Sequence, residues 1–366
     1  MSVKKRTILV SPLDWGLGHA TRCIPIIQEL VRCNCHVIIG GSGHSGLLLK
    51  QEFPTLSYVE VPSATIKYSK TSAGFFWKMI QQVPAVIKQN KNEKKWLEDF
   101  IEKNNVDAVI ADNRYGLHST KITSILITHQ VYVKTGANKI VDWLFNKLIN
   151  YPLLNKFQSV WVPDNKDEFI LGGTLSHPKH LPAVPINYIG ALNRFESKNK
   201  DNATNGKILI LLSGPEPQRT LLEEILIEQL VEINNEIDFV RGLPASNQKK
   251  ENRNSITFYN HLDTESLFKK IDEAEIVITR SGYTSVMELL PLSKKCIFIP
   301  TPGQAEQEYL AKFHMQSGRA LYFAQNKFSL KTAISQGKNQ VFHRENGWPA
   351  SQLPHIIKNW LNNIKA

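Results

Sequence analysis

Cysteine is scarce: Cys23, Cys33, Cys35 and Cys296 are the only four in 366 residues. So few thiols exclude a disulfide framework, and the C-x-C pair at 33 and 35 finds no second Cys/His pair to complete a zinc set. Long apolar runs are missing as well. No stretch approaches the roughly 18 consecutive apolar residues of a membrane-spanning helix. Lys4, Lys5 and Arg6 precede an apolar run too short for the core of a secretory signal. A cytoplasmic chain is expected, either soluble or peripheral on the cytoplasmic face of a membrane. Acidic residues are in deficit, 33 against 44 Lys and Arg, for a formal charge of +11. That balance favours an anionic partner. Nucleic acid is not expected, because zinc-finger spacing, RNP-like motifs and a long basic arm are all absent. Anionic lipid and a phosphorylated substrate remain.

What is present reads as two α/β domains, the number that this length suggests. "RTILVSPL", "HVIIGG", "LSYVEVP", "VDAVIADN" and "SILITHQ" are strand candidates. "TRCIPIIQELVRC", "SGLLLKQE" and a long region with Lys88 to Lys95 on a charged face are helical. Continuous Val/Ile runs between helices indicate a parallel sheet covered on both faces. Glu196 to Lys207, "ESKNKDNATNGK", is polar, rich in turn formers and a linker candidate. The pattern then restarts with "KILILLSG", "IDFVRG", "SITFYNHL", "AEIVITRSG" and "KCIFIP" as strands among helices. The expected domains are residues 1–195 and 206–345. A final amphipathic helix in 346–366 is expected to pack back on the first domain.

The stretch "DWGLGHATR", Asp14 to Arg22, leaves the first strand through Gly16-x-Gly18. The dinucleotide fingerprint G-x-G-x-x-G fails here, with Thr21 at its third glycine and no acid closing "HVIIGGSG". No phosphate-loop "GK[ST]" and no cation-binding D-x-D follow. No cofactor and no metal are expected. The glycines allow a tight turn that exposes a helix N-terminus, whose unpaired N–H groups favour an anion and whose partial positive charge keeps His19 neutral. His19 stands at the carboxyl end of the first strand, where open α/β sheets bind ligands. The alternative is a capping or buried histidine that only packs. "ITRSGYTSVMELL" repeats the strand, glycine turn and helix at Gly282, and "FIPTPGQAEQEYLA" ends a strand in a Pro/Gly loop.

These three blocks, "GLGHATR", "TRSGYTSVMEL" and "IPTPGQAEQEYLA", resemble glycosyltransferase family 28 in order and spacing across nearly the whole chain. The resemblance implies a GT-B fold, two doubly wound Rossmann-like domains facing a cleft with a hinge near 196–206. It also implies a sugar transfer from a UDP-sugar, UDP-N-acetylglucosamine or a similar hexose donor, to a hydroxyl acceptor. A glycolipid or a lipid-linked cell-envelope precursor is one such acceptor. By position, His19 would be the catalytic base. Gly18, Arg280, Ser281 and Gly282 would lie beside the donor diphosphate. Ser213, Gly214 and Arg219 would too, in a loop "SGPEPQR" whose prolines depart from the family's glycine-rich form. Leu262 and Glu288 would take the uracil and ribose, and Gln304, Glu306 and Gln307 the donor sugar. Glu308 stands where the family often has glutamine, which leaves the donor sugar open.

Each role has a rival. Ser285 and Glu288 fit an S-x-x-E capping box. Arg280 fits an ordinary surface cation, and Gln307 a first-turn helix residue. Asp112, Arg114 and His129 end strands of the first domain on the acceptor side. His129 fits a merely structural residue. Asp112 either orients the acceptor hydroxyl or pairs with Arg114. The expected chemistry inverts the anomeric centre without a metal, with helix amides and arginine stabilising the leaving group. "AGFFWKMIQQVPAVIKQNKNEKKW" and "NKIVDWLFNKLINYPLLNKF" mix Trp, Phe and Leu with Lys, which suits a weak association with anionic membrane or, alternatively, helices packed on the sheet. A nucleotide-sugar 2-epimerase and a non-catalytic nucleotide-sugar-binding scaffold are the competing functions. The oligomeric state is not written in the sequence.

Overall fold

The structure, a computed structural model, describes residues 5–14, 16–63, 72–195, 206–214, 216–243, 250–253, 255–343, 348–349 and 351–364, with residues 72–83 as backbone alone. Residues 196–205 of the expected linker and hinge, the Trp15 and Pro215 positions, and the side chains of "AGFFWKMIQQV" lie outside the described residues. Two compact units divide the chain: residues 1–67, 77–194 and 349–366, and residues 68–76 and 195–348.

The first unit runs β1 (Thr7–Pro12), α1 (Leu17–Arg32), β2 (His36–Gly41), α2 (Gly43–Glu52), β3 (Ser57–Glu60), α3 (Ser72–Asn104), β4 (Ala108–Asp112) and β5 (Thr123–Ile127). It continues through α4 (Lys139–Phe145), a π-helical turn at Asn146–Asn150, α5 (Tyr151–Leu154), β6 (Ser159–Val162) and β7 (Ile186–Tyr188). The strands form one sheet in the order β3-β2-β1-β4-β5-β6-β7, and every pairing is parallel. The order reverses between β1 and β4, which makes their carboxyl ends the natural ligand site of such a sheet. Register sets Pro12 beside Asp112 and Asp112 beside Ile127. Ile8, Leu9, Val10, Val109, Ile110, Leu126 and Ile127 are fully buried, as expected for strands covered on both faces.

The second unit runs β8 (Lys207–Leu211), α6 (Gln218–Gln229), β9 (Ile237–Val240), β10 (Lys250–Arg253), β11 (Ile256–Tyr259), α7 (Thr264–Glu273) and β12 (Ala274–Thr279). Then come α8 (Tyr283–Leu289), β13 (Lys295–Phe298), α9 (Ala305–Gln316), β14 (Ala320–Tyr322) and α10 (Leu330–Asn339). Its sheet order is β10-β11-β9-β8-β12-β13-β14, parallel except for the β10–β11 pair. Here the switch point falls between β8 and β12. Its core gathers Ile208, Ile210, Leu226, Phe239, Phe258, Ile276, Ile278 and Ile297.

The last helix, α11 (Leu353–Asn363), belongs to the first unit. It buries Leu353 and Ile357, sets Trp360 edge-on to Trp161 with centroids 5.2 Å apart, and its terminal Ile364 carbonyl accepts from Arg6 at 2.9 Å. The helix read from Thr21 starts at Leu17, which draws His19 into its first turn. Its N-cap Gly16 has φ 154° and ψ 154°, a conformation confined to glycine.

Candidate active site

At the switch point of the first unit, the register of β1, β4 and β5 collects four side chains. His19 projects from the first turn of α1, and Arg22 follows three residues later on the same face. Asp112 ends β4, and His129 follows β5. His19 Nδ1 lies 2.7 Å from Asp112 Oδ1. Arg22 grips the same carboxylate side-on, Nε donating to Oδ2 and Nη2 to Oδ1. Its Nη2 also lies 2.8 Å from His19 Nδ1, and its Nη1 lies 3.2 Å from His129 Nδ1. Asp112 is fully buried and Arg22 nearly so, while the His19 ring keeps about 20% exposure.

The electrostatics follow from that geometry. Burial and then the Arg22 charge hold the His19 pKa below its ordinary value, against the opposing pull of Asp112. Burial alone would raise the Asp112 carboxyl, but Arg22 and His19 outweigh it and keep the group ionised. The result is a neutral imidazole with Nδ1 against a carboxylate and an open edge. With Nδ1–H given to Asp112, Nε2 is left as a proton acceptor.

Asp112 therefore makes neither of the two contacts considered for it. It does not pair with Arg114, and its oxygens are occupied and buried, so it does not reach out to an acceptor hydroxyl. Arg114 is 1% exposed and turned the other way. It donates to the Pro12 carbonyl at 2.8 Å, the Pro62 carbonyl at 3.0 Å, Glu93 Oε1 at 2.9 Å and Ser42 Oγ at 3.1 Å. Glu93 Oε2 accepts from the Gly116 amide at 3.2 Å. Arg114 and Glu93 thus tie the exits of β1, β3 and β4 to α3, bracing the site without entering it. Asp14 also acts as a brace: its Oδ1 accepts from Ser45 N at 3.1 Å in the first turn of α2. Arg22 and Glu93 went unnoticed in the sequence. Arg22 had a signal, its i+3 spacing from His19; Glu93, one of four acids in a lysine-rich helix, had none.

In the second unit, Ser213 and Gly214 are exposed just after β8, with Gly214 at φ 108°. Gly282 caps α8 after β12 with φ −65° and ψ 146°, and a Cβ there would meet nothing within 4 Å. Neither strain nor crowding accounts for glycine at 282. A ligand approaching the backbone would.

The charged and amide side chains around these turns are largely occupied. Arg219 pairs with Glu216 at 2.6 Å and Glu223 at 2.5 Å. Arg280 is no surface cation: it is 1% exposed and donates to the carbonyls of Gln218 (2.8 Å), Ile299 (3.1 Å) and Pro300 (3.1 Å), and to Gln325 Oε1 (2.7 Å). All four acceptors are neutral, and burial brings its pKa down to about 10. Ser281 Oγ donates to the Gln307 carbonyl at 2.7 Å. Gln307 Oε1 accepts from the Thr301 amide at 2.9 Å, and Glu308 Oε1 from the Gly303 amide at 3.0 Å, so the first turns of α9 hold the preceding loop. Gln304 caps α9, and Glu306 sits half-buried in its first turn. Glu288 is buried inside α8. The capping box does not form, because α8 starts at Tyr283 and both Ser285 and Glu288 fall within it. Leu262 is half-buried immediately before Asp263, the N-cap of α7. Among the described residues, no group of three or more His, Cys, Asp or Glu could hold a metal ion.

Two doubly wound units with polar loops at their switch points define the GT-B class. Residues 246–352 match the glycosyltransferase family 28 C-terminal domain. The chain is 23% identical over 99% of its length to the UDP-N-acetylglucosamine–N-acetylmuramyl-(pentapeptide) pyrophosphoryl-undecaprenol N-acetylglucosamine transferase of Clostridium tetani, covering 97% of that protein. The enzyme of the same name from Sulfurihydrogenibium sp. is 22% identical, with 95% of this chain and 96% of that one covered. Among solved structures, MurG of Acinetobacter baumannii superposes with a TM-score of 0.55 at 15% identity, covering 92% of this chain and 90% of that one. The calicheamicin glycosyltransferase superposes with a TM-score of 0.63 at 11% identity over the full length of both chains. The chain is a GT-B glycosyltransferase similar to family 28.

Proposed function

We propose that this enzyme transfers N-acetylglucosamine, or a similar hexose, from a UDP-sugar to the hydroxyl of a lipid-linked acceptor, with inversion and without a metal. The observation that carries the reading is the neutral His19 held by Asp112 at the switch point of the first unit. The donor and acceptor classes are those in the names of the relatives from Clostridium tetani and Sulfurihydrogenibium sp..

In the proposed step, the acceptor oxygen attacks the anomeric carbon and gives its proton to His19 Nε2. The bond from that carbon to the β-phosphate oxygen breaks, and UDP leaves with the electron pair. Attack opposite the leaving group turns an α-linked donor into a β-glycoside. Asp112 accepts from Nδ1–H and stabilises the imidazolium as it forms, a contribution of about 10²–10⁴ in rate for a well-placed base. Backbone amides at Gly214, Ser281 and Gly282, with the buried Arg280 charge behind them, would stabilise the departing diphosphate. Glu288 would hold the ribose, Leu262 the uracil, and Gln307 would offer its amide nitrogen to the sugar.

A lipid-linked acceptor agrees with the surface of the first unit. Ile140, Trp143, Leu144, Leu148 and Ile149 are 42–71% exposed within one short stretch, and Lys147 lies over the Trp143 ring at 4.8 Å. Apolar side chains interleaved with lysine suit the interface of an anionic bilayer, and no described helix is long and apolar enough to cross one. The test is UDP release from UDP-N-acetylglucosamine with and without the lipid-linked acceptor named for the Clostridium tetani relative. Acceptor-dependent release that disappears in His19→Ala, with donor binding retained, supports the proposal. Release without acceptor would instead mark an epimerase or hydrolase, and binding without turnover a scaffold.

A further inference from the structure

Arg22 has no place in the catalytic step described above, yet it is the most heavily engaged side chain at the site. A histidine backed by a carboxylate of its own becomes more basic, because the full negative charge stabilises the imidazolium. Here the carboxylate is shared. Asp112 Oδ1 accepts from both His19 and Arg22, and Oδ2 accepts from Arg22 Nε. The guanidinium cannot lose its proton at any working pH, so it stands as a permanent cation 2.8 Å from His19 Nδ1.

That distance has a second consequence. Nδ1 is within hydrogen-bonding reach of an acceptor, Asp112, and of a donor, Arg22. The neutral ring can satisfy only one of them. With its proton on Nδ1 it donates to Asp112 and leaves Nε2 as a base. With its proton on Nε2 it accepts from Arg22 and has no basic edge to present. A second ring is engaged by the same residue: Arg22 Nη1 lies 3.2 Å from His129 Nδ1.

We infer that Arg22 is the positioning residue that sets the protonation state of His19, dividing the Asp112 charge so that the ring is not drawn into a full ion pair with that carboxylate. The inference rests on the reading of His19 as the base and names what tunes it. Of the other groups facing the ring and its carboxylate, His129 pushes the same way but less than Arg22. Cys23, whose Sγ lies 4.0 Å from Asp112 Oδ2, is a thiol pushed well up by burial. Tyr115, behind Asp112, is pushed up to about 12 by burial. His129 is held by Arg22 itself.

The test is a proton and nitrogen-15 NMR titration of the His19 ring in the full chain, beside the pH profile of kcat/KM for acceptor-dependent UDP release. In the wild type the ring should titrate below 6.5, with Nδ1 protonated in its neutral form. In Arg22→Gln the midpoint should rise by about 1–3 pH units, as expected when an imidazole gains an unshared carboxylate. Arg22→Lys, which restores the cation, should return it most of the way. An unchanged midpoint in Arg22→Gln overturns the inference. If that variant does not fold, a wild-type midpoint above 6.5 does the same. If the NMR midpoint moves and the acid limb of kcat/KM stays put, the inference on Arg22 stands and the reading of His19 as base falls.

Discussion

Breaking the Arg22–Asp112 pair from its two sides should give unequal penalties. Both side chains are within 2% of complete burial, and both carboxylate oxygens are engaged. Asp112→Asn leaves the guanidinium buried with no counter-charge, which costs about 3–5 kcal/mol. Arg22→Met leaves Asp112 buried, but His19 can take up a proton and replace the lost cation, so the penalty should be smaller below neutral pH. The sign of its pH dependence follows. In Arg22→Met the folded-state pKa of His19 rises above its unfolded value near 6.5. The compensation is fully present below 6.5 and lost as pH rises through the raised value. The Asp112→Asn penalty has no such upward slope. The double variant buries no unpaired charge, so it should cost well under the sum of the two, with a coupling of at least about 2 kcal/mol. Six of the seven tryptophans, at 15, 77, 96, 143, 161 and 360, fall in the first unit, so urea unfolding followed by tryptophan fluorescence reads that unit. Additivity within about 0.5 kcal/mol, or equal penalties at pH 5.5 and 8, would refute the reasoning.

Three further outcomes are expected. Gly282→Ala should leave the melting temperature unchanged, because its φ of −65° suits alanine and the added Cβ meets nothing within 4 Å; it should nonetheless weaken UDP-sugar binding at least tenfold by calorimetry, and unaltered affinity would remove the diphosphate from that turn. His118 is 8% exposed and is brought down to about 4 by burial and then by Lys94 and Lys156. The unfolded chain then binds the extra proton, so stability should fall by up to about 3 kcal/mol as pH drops from 6.5 to 4. His118→Asn should flatten that decline, and an unchanged acid profile would exclude His118 as its source. Replacing Ile140 and Leu148, 71% and 66% exposed, with glutamate should spare folding but abolish co-sedimentation with anionic vesicles at low salt. Wild-type protein that stays in the supernatant would dispose of the membrane reading.

The fold was largely legible because Val/Ile runs at parallel-sheet length are a strong signal, and the glycine turns mark where each sheet hands over to a helix. The short edge elements were not legible. β10 is "KENR", four polar residues whose pairing with β11 owes nothing to an apolar face, and β7 and β14 are three residues each. α10 begins where Ser329 caps Thr332 N at 3.4 Å, a local cue easily overlooked beside the larger blocks. The partnership of His19 with Asp112 was beyond sequence alone. They are 93 residues apart, and only the register of β1 against β4 brings them together.

The polar residues near the glycine turns show why motif reading overstates ligand contacts. A tight loop leaves backbone carbonyls and amides that must find partners when buried. The nearest donors and acceptors are the side chains that flank the turn. Arg280 satisfies three such carbonyls, Gln307 one amide and Glu308 another. Arg219 is taken by two carboxylates. A diphosphate that drew Arg219 away would have to outbid Glu216 and Glu223, whereas the backbone at Gly214 and Gly282 has open space beside it. The donor-side anion should therefore be held chiefly by main-chain amides, with Arg280 acting as a buried charge that shapes the loops. Arg280→Lys would keep the charge but lose the four-way grip, and Arg280→Gln would lose both. If the brace matters most, the two should weaken UDP binding about equally. If direct charge matters most, lysine should bind far better than glutamine, and that result would return Arg280 to the diphosphate.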